Sequence, residues 1–388
     1  GPAMRARTEL LDAPALEAPV LASPRLEPVE NKAPGEFKVA FFSVAPYDIE
    51  AFNKMNEGLG TSLTFVYHEA SLEADSAQLA AGCEAICIFV NDDCGEKTLR
   101  VLKSLGIKMV ALRCAGFNNV DLAVAKELRI TVARVPAYSP HAVAEHAVTL
   151  ALGLNRRIPQ AYLKTRRGDF TLRGLLGKDL GSDDGRKTVG IIGTGLIGSI
   201  AAKIFKRGFC CNVIAYDAFP NKRISDPAPD GLGIPYVSLE ELVSTSDIIS
   251  LHCPLFPATK HIINIDKIRM MKKGVTLINT SRGGLVDTKA LITGLQEGII
   301  GNVGLDVVEG EDPYFFLDWS GKVLMDDDLA ILLAFHNCTI TAHQAFFSKE
   351  ALRTISHTTI ANLNAVRNGE TPPKQKGKLE TVCLPPSS

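Results

Sequence analysis

The sequence lacks the features that mark several large classes of protein. No apolar run approaches the length of a membrane span, and 42 basic against 43 acidic residues give a formal net charge of −1, without the basic excess typical of nucleic-acid-binding proteins. The nine cysteines include no C-x-x-C pair, so neither a metal site nor a disulfide framework is predicted. We therefore expect a soluble intracellular protein with reduced thiols, and neither nucleic acid nor membrane as a partner.

The first 36 residues also lack the pattern of a packed element. Gly1–Met4 resembles the remnant of a protease-cleavage site, and the segment after it interleaves prolines with glutamates. This composition predicts a flexible extension over residues 1–36. Its acidity argues against an intact transit peptide. A processed remnant of a targeting segment would place the protein in a plastid or mitochondrial matrix, and the cytoplasm is the alternative.

From residue 37 onward, short apolar strands alternate with helical segments, which is the pattern of parallel sheets covered by helices. Four strands are predicted before residue 114. Six more follow residue 187, at 189–192, 212–216, 248–251, 275–279, 303–307 and 338–341.

Two prolines within Val135–Pro140 mark a boundary between these groups of strands. The last predicted helix, Lys349–Arg367, has no sheet of its own and should fold back on the first domain. We therefore predict an α/β protein with two Rossmann-like domains of parallel sheet. A dinucleotide-binding domain, 140–343, is inserted into a flavodoxin-like substrate domain formed by 37–139 and 344–388.

A G-x-G-x-x-G motif, Gly193, Gly195 and Gly198, follows the predicted strand Val189–Ile192 and opens a helix. Its glycines permit a tight turn, close approach of a pyrophosphate and close helix–strand packing, and the helix N-terminus then binds the anion. The next apolar strand ends on Asp217, about 20 residues further on, where a carboxylate meets the ribose hydroxyls. We interpret this segment as a dinucleotide site.

Three complementary polar groups follow predicted strands of that domain: Arg282, Glu311 and His343. Ligands of open α/β sheets bind beyond the carboxyl ends of the strands, so these side chains should meet at one edge. Glu309 competes with Glu311, and position alone does not separate the two. Each group also has a simpler explanation, as an ion pair, a solvated acid or a strand-end histidine. The occurrence of three complementary groups at one edge of the sheet, however, favours a catalytic role.

The set suits hydride transfer to a 2-oxo acid. An imidazolium can protonate the developing alkoxide at neutral pH, and a nearby carboxylate stabilises that charged form. An arginine can hold the substrate carboxylate and polarise the carbonyl. The turn at Gly116 offers bare N–H groups for the same carboxylate, although a simple strand-to-helix connection explains it equally well.

Seven segments together resemble the D-isomer-specific 2-hydroxyacid dehydrogenases, and among them the fermentative NAD-dependent D-lactate dehydrogenases. The segments are Leu112–Leu122, Arg134–Tyr138, Gly193–Gly198, Leu251–Leu255, Asn279–Gly283, Gly304–Glu311 and Ala342–Phe346. The resemblance covers the chain from about residue 37 to residue 370. It implies reduction of pyruvate to D-lactate by NADH in a homodimer or homotetramer.

The resemblance also implies a role for individual residues. Arg282 would anchor the substrate, His343 would be the acid/base, and Glu311, rather than Glu309, would favour its protonated form. The backbone of Ala115 and Gly116 would bind the substrate carboxylate. Phe89, Tyr138 and Phe346 would line a small pocket around the substrate methyl group. Cofactor contacts would come from Gly193, Gly195, Leu196, Ile197, Gly198, Asp217, His252, Cys253, Pro254, Thr280 and Asp306.

Two other functions fit much of the same evidence. A related reductase would act on hydroxypyruvate, glyoxylate or phenylpyruvate. An NAD-sensing corepressor on the same fold would bind partner peptides and can retain the Arg–Glu–His set. Formate oxidation is disfavoured because the formate dehydrogenases of this superfamily carry glutamine where Glu311 stands.

Overall fold

The computed structural model describes residues 36–182, 185–227 and 231–372, with the short stretches 374–375, 378–379 and 381–383. The predicted extension, 1–36, lies outside the described residues apart from Glu36. Contacts divide the chain into two units. The first comprises 36–89, 93–136 and the described residues from 353 onward, and the second comprises 90–92 and 137–352. The chain therefore returns to the first unit between residues 352 and 353, inside the helix predicted at Lys349–Arg367. The sequence had predicted this return after residue 343.

The first unit is built on a parallel sheet of five strands: β1 (Phe37–Phe41), β2 (Leu63–Tyr67), β3 (Ala85–Ile88), β4 (Met109–Leu112) and β5 (Thr131–Ala133). Their spatial order, β2-β1-β3-β4-β5, is the flavodoxin-like doubly wound order. A short strand, Thr381–Cys383, pairs with β5 in antiparallel orientation. The helices are α1 (Pro46–Leu59), α2 (Glu96–Ser104) and α3 (Leu122–Glu127).

The second unit is built on six parallel strands: β6 (Thr188–Ile192), β7 (Asn212–Tyr216), β8 (Ile248–Leu251), β9 (Val275–Asn279), β10 (Ile300–Leu305) and β11 (Cys338–Ile340). Their order is β7-β6-β8-β9-β10-β11, so the strand order reverses between β6 and β8. The predicted fold class, an α/β protein with two Rossmann-like units, is confirmed. Strand β10 was predicted at 303–307. It begins earlier because Ile300 and Asn302 pair with β9 on either side of a register irregularity, so this part of the strand lacks a regular apolar pattern.

The helices of the second unit are α4 (Pro140–Asn155), α5 (Ile158–Arg166), α6 (Leu196–Lys203), α7 (Lys222–Ser225), α8 (Leu239–Thr245), α9 (Ile265–Met270), α10 (Thr288–Gln296) and α11 (Asp327–Ala334). A last helix, α12, spans Lys349–Arg367. Within the described part of the chain, no helix has both the length and the apolarity to cross a membrane.

Helix α4 shows how the sequence fixes an element of the second unit. Pro140 occupies its first turn, and Ser139 caps it by accepting a hydrogen bond from the Ala142 N–H. Its apolar face packs on β10, where a Cβ at Gly304 would lie 3.0 Å from Leu154. This glycine therefore allows the helix to approach the centre of the sheet closely.

Candidate active site

In the turn between β6 and α6, a different steric reason favours glycine at each glycine position of the G-x-G-x-x-G motif. Gly193 has φ +93°, and a Cβ there would lie 2.5 Å from the Cys253 nitrogen. A Cβ at Gly198 would lie 1.9 Å from the Gly193 oxygen, so close helix–strand packing requires glycine. At Gly195 a Cβ would meet no described atom within 4 Å. That open side of the turn leaves room for a pyrophosphate at the start of α6.

Asp217, directly after β7, is half-buried and already holds the same turn. It accepts hydrogen bonds from the Thr194 N–H at 2.6 Å and the Thr194 hydroxyl at 2.9 Å. The Phe219 N–H donates to its other oxygen at 2.8 Å. A carboxylate accepts about four hydrogen bonds, so one position remains for a ribose hydroxyl. Its negative charge next to that position disfavours a 2′-phosphate.

Two buried polar atoms near this turn have no protein partner among the described residues: His252 Nδ1 and Thr280 Oγ1. His252 contacts Ser250 Oγ at 2.8 Å through Nε2. Burial lowers the pKa of His252 to about 4, so the ring is neutral at physiological pH. An unsatisfied buried polar group costs about 1–3 kcal/mol. Because both residues belong to the predicted cofactor contacts, these orphaned atoms fit a bound dinucleotide.

The other predicted cofactor contacts of this region differ in exposure. Leu196 and Pro254 are exposed, whereas Ile197 is half-buried. Cys253 is buried, and its burial raises the pKa of the thiol to about 11. The thiol is therefore protonated at neutral pH and offers no thiolate chemistry.

His343 lies in the loop after β11 with an uncommon left-handed backbone, φ +52°. Asp306, after β10, fixes this loop. Its carbonyl accepts from the His343 N–H at 2.8 Å, and its carboxylate accepts from the N–H groups of Gln344 at 2.9 Å and Ala345 at 2.8 Å. Thr341 Oγ1 donates to the same carboxylate at 2.6 Å. The Asp306 carboxylate is thus committed to the histidine loop, although it was predicted as a cofactor contact.

His146, on α4, is a further partner of this carboxylate that sequence reasoning missed. Its Nε2 lies 3.0 Å from Thr341 Oγ1 and 3.4 Å from Asp306 Oδ1. Burial alone would raise the pKa of Asp306, but hydrogen bonds from His146, Thr341 and the Ala345 N–H lower it below its ordinary value. Asp306 is therefore an anion at neutral pH.

The imidazole of His343 is held at one nitrogen only. Its Nδ1 lies 2.6 Å from Glu311 Oε1, and Glu311 Oε2 accepts from the Val308 N–H at 2.7 Å. A carboxylate opposite Nδ1 requires that this nitrogen carry the hydrogen. No described residue makes a hydrogen bond to Nε2. This nitrogen is therefore free to give or take a proton.

Glu309, the competitor of Glu311 in the sequence, belongs to a different pair. Its two oxygens lie 2.9 and 3.0 Å from His261 Nε2. The geometry thus pairs Glu309 with His261 and Glu311 with His343.

Arg282 follows β9 and is half-buried. Its Nη1 donates to the Ser281 carbonyl at 2.6 Å, and no carboxylate of the described residues lies within ion-pair distance of it. Gly283 lets this loop approach the one after β10, because a Cβ there would lie 2.1 Å from the Val308 carbonyl carbon. A guanidinium without an acidic partner can bind a carboxylate ligand by two parallel hydrogen bonds.

The predicted pocket residues divide between the two units. Tyr138 and Phe346, in the second unit, pack edge to face with ring centroids 5.9 Å apart. Phe89, in the first unit, is buried against the Arg113 guanidinium, 4.6 Å from its ring centroid.

Ala115 and Gly116 also lie in the first unit, after β4. Arg134 donates to the Ala115 carbonyl at 2.7 Å. Within the described chain, neither amide N–H of these two residues donates to a protein acceptor. Both N–H groups are therefore free to bind a ligand.

A second contact that sequence reasoning missed is the ring of Phe316, whose centroid lies 5.9 Å from that of His343. Phe316 and His146 reach the site only through the tertiary fold, since neither follows a strand of the sheet. No local pattern in the sequence could have identified them.

Comparison with known proteins is consistent with this geometry. The profile of the D-isomer specific 2-hydroxyacid dehydrogenase NAD binding domain matches residues 148–345. The chain is 46% identical over 338 residues to a D-lactate dehydrogenase of Escherichia coli, covering 87% of this chain and 99% of that protein. It is 47% identical over 327 residues to 2-hydroxyacid dehydrogenase homolog 1 of Schizosaccharomyces pombe, covering 84% and 95% of the two chains.

A solved structure, the pyruvate reductase of Chlamydomonas reinhardtii, is similar along most of the chain. The TM-score is 0.79 at 42% identity, over 87% of this chain and 98% of that one. The chain therefore belongs to the D-isomer-specific 2-hydroxyacid dehydrogenases, a family of oxidoreductases, and its cofactor is NAD.

Proposed function

We propose that the chain is a D-lactate dehydrogenase that reduces pyruvate to D-lactate reversibly, with His343 as the acid/base. The observation that carries the proposal is the contact between Glu311 and His343 Nδ1, while Nε2 has no hydrogen-bond partner in the described part of the chain. The similarity to proteins named D-lactate dehydrogenase and pyruvate reductase supports the choice of substrate.

In the proposed reaction, NADH, when bound, would supply the hydride, with its electron pair, that reduces the carbonyl carbon of pyruvate. Arg282 binds the substrate carboxylate and polarises the adjacent carbonyl. His343 donates the proton on Nε2 to the developing alkoxide, so that the hydride and the proton together give the alcohol. Glu311 stabilises the imidazolium and orients it. In the reverse direction, the neutral imidazole accepts the hydroxyl proton of D-lactate.

Further groups are proposed to select the substrate. The N–H groups of Ala115 and Gly116 are candidate donors to the substrate carboxylate. The aromatic side chains of Tyr138 and Phe346 in the second unit, and of Phe89 in the first, are each candidate contacts for a substrate methyl group. Bulky contacts of this kind would favour pyruvate over longer 2-oxo acids.

The second candidate is a related reductase of the same family. It is favoured by the generic names of several similar proteins, among them the Schizosaccharomyces pombe homolog. Such an enzyme would use the same three residues with hydroxypyruvate, glyoxylate or phenylpyruvate.

We also propose that a second copy of the chain is a partner, in a homodimer or homotetramer. The segment from α5 to residue 176 exposes large apolar side chains, with Leu172 at 82% and Leu176 at 92% of their full accessible area. Exposed apolar clusters of this kind mark interfaces between proteins. Sedimentation velocity should give a species of at least twice the mass of one chain.

The test of the proposed function is an assay of NADH oxidation with pyruvate, glyoxylate, hydroxypyruvate and phenylpyruvate, with chiral analysis of the product. We expect the highest kcat/KM with pyruvate, and D-lactate as its product. Formation of L-lactate, or no turnover of pyruvate, would overturn the proposal. A higher kcat/KM with another 2-oxo acid would favour the second candidate.

A further inference from the structure

The imidazole of His343 contacts an aromatic ring as well as the Glu311 carboxylate. The ring of Phe316 lies against it, with centroids 5.9 Å apart and planes inclined by 35°. Phe316 has φ +66°, a left-handed backbone that a phenylalanine rarely adopts. Such conformations cost about 1–3 kcal/mol and persist only where the surrounding structure imposes them. Here the imposed conformation accompanies a ring that contacts the imidazole.

The turn that carries Phe316 begins at Glu311 itself. The Glu311 carbonyl accepts hydrogen bonds from the N–H groups of Tyr314 at 2.9 Å and Phe315 at 3.0 Å. Phe315 is buried in the core of the second unit together with Val308, which pins the turn. One short segment thus supplies both the carboxylate at the edge of the imidazole and the aromatic ring that contacts it.

The charged groups that the structure places against His343 are both acidic. Glu311 contacts Nδ1, and Asp312 lies near enough for its own pKa to respond. Burial raises the pKa of Asp312 and the Glu311 carboxylate raises it further, while His343 lowers it.

An aromatic face has two physical effects on such an imidazole. Its negative quadrupole attracts a cation within about 6 Å of the centroid, which favours the imidazolium. Its bulk also restricts rotation of an imidazole that is held by a hydrogen bond at one nitrogen only. In place of Phe316, a leucine would keep the apolar bulk but not the quadrupole, whereas a tryptophan would keep both.

We propose that Phe316 is a positioning residue for His343, its ring packing against the imidazole while Glu311 holds the edge. The proposal rests on the proposed acid/base role of His343, and it adds a residue that acts on the proton donor without touching the reacting atoms. Phe316 keeps the imidazole in the orientation that presents Nε2, and it favours the protonated form.

The test compares Phe316→Leu and Phe316→Trp with a matched control, Leu317→Ala. Leu317 is the next residue along the loop and is 54% exposed. The first readout is the NMR titration of the His343 imidazole in the full-length protein, assigned by the signal that His343→Gln lacks. The second is kcat and KM for pyruvate as a function of pH with NADH.

In Phe316→Leu we expect the midpoint of the His343 titration to fall by about 0.5 pH unit. The alkaline limb of the pH profile for pyruvate reduction should also move to lower pH. On the low-pH plateau of the profile a fall in kcat of up to about tenfold should remain, because the orientation of the donor is less restricted. Phe316→Trp should restore the midpoint and most of kcat, and Leu317→Ala should change neither.

An unmoved midpoint in a folded Phe316→Leu protein, or an equal shift in Leu317→Ala, would overturn the proposal. Failure of Phe316→Trp to restore either readout would also contradict it, because that variant keeps an aromatic face. The NMR titration requires no turnover, so it tests the role of Phe316 independently of catalysis. If the acid/base assignment of His343 were wrong, His343→Gln would instead keep full activity.

Discussion

Two glutamate–histidine pairs lie in the second unit, and they differ in which nitrogen of the ring is bound. Glu311 contacts His343 at Nδ1, whereas Glu309 contacts His261 at Nε2 with both carboxylate oxygens. Both histidines have a left-handed backbone, with φ near +50°. Residue type and backbone conformation therefore do not distinguish the two pairs.

The bound nitrogen decides what each pair can do. In His343 the carboxylate occupies the nitrogen nearer the backbone, so the outer nitrogen is available to a ligand. In His261 the outer nitrogen is occupied, so that pair is suited to joining two loops. The side chains of His343 and Glu311 are also less exposed, 20% and 15%, than those of His261 and Glu309, 34% and 36%. Lower exposure strengthens an ion pair, because water screens it less.

The largest expected difference between the pairs is in turnover. His343→Gln should lower kcat by about a thousandfold, because the general acid is lost, while the Kd for NADH stays within about twofold. The control, His261→Gln, should keep kcat within about twofold. Stopped-flow and steady-state kinetics with pyruvate measure the first quantity, and fluorescence titration with NADH measures the second. A fall in NADH affinity without a fall in kcat would show that His343 holds the cofactor instead.

The next largest expected effect is on KM for pyruvate and concerns Arg282, which has no carboxylate partner among the described residues. Arg282→Gln should raise KM for pyruvate by about a hundredfold, since two charge-assisted hydrogen bonds to the substrate are lost. As a control, Arg157→Gln removes a guanidinium that donates to Asn302 Oδ1. Steady-state kinetics should show an unchanged KM in that variant. Equal effects of the two substitutions would mean that neither cation binds the substrate.

The extent to which the sequence predicted this architecture varied with the length and pattern of each element. Strands β7, β8 and β9 begin and end where predicted, because each is an apolar run bounded by polar or turn-forming residues. Strand β5 has only three residues, too few to show a period. Helix α5 was missed because none of its residues is buried, so it has no apolar stripe to recognise.

For the site, the rule that ligands bind beyond strand ends selected Arg282, Glu311 and His343, which follow β9, β10 and β11, and Glu311 contacts His343; the roles of the three residues stay predictions. It could not assign the two glutamates to their histidines, since that depends on the path of the loop after β10. Phe316 was equally out of reach, because its position depends on a backbone conformation that its residue type disfavours.

A smaller effect, on the preference for NADH over NADPH, is expected from a substitution of Asp217. Asp217→Asn keeps a side chain of the same shape for the Thr194 hydrogen bonds but removes the charge. The ratio of kcat/KM for NADH to that for NADPH should fall by about tenfold, because a 2′-phosphate no longer meets an anion. The control, Asp266→Asn, changes an exposed acid on α9. An unchanged ratio in Asp217→Asn would count against its role as the ribose reader.

The smallest effect is a shift of a pH profile, and it tests the contrast between the two pairs most directly. The measurement is kcat/KM for pyruvate from pH 5 to pH 10 in the wild-type protein, in Glu311→Gln and in Glu309→Gln. Without the Glu311 anion the imidazolium loses its proton at lower pH, so the alkaline limb of Glu311→Gln should move down by about one pH unit or more. The limb of Glu309→Gln should stay in place. An unmoved limb in Glu311→Gln, or an equal shift in both variants, would contradict the assignment of Glu311 and His343 as the catalytic pair.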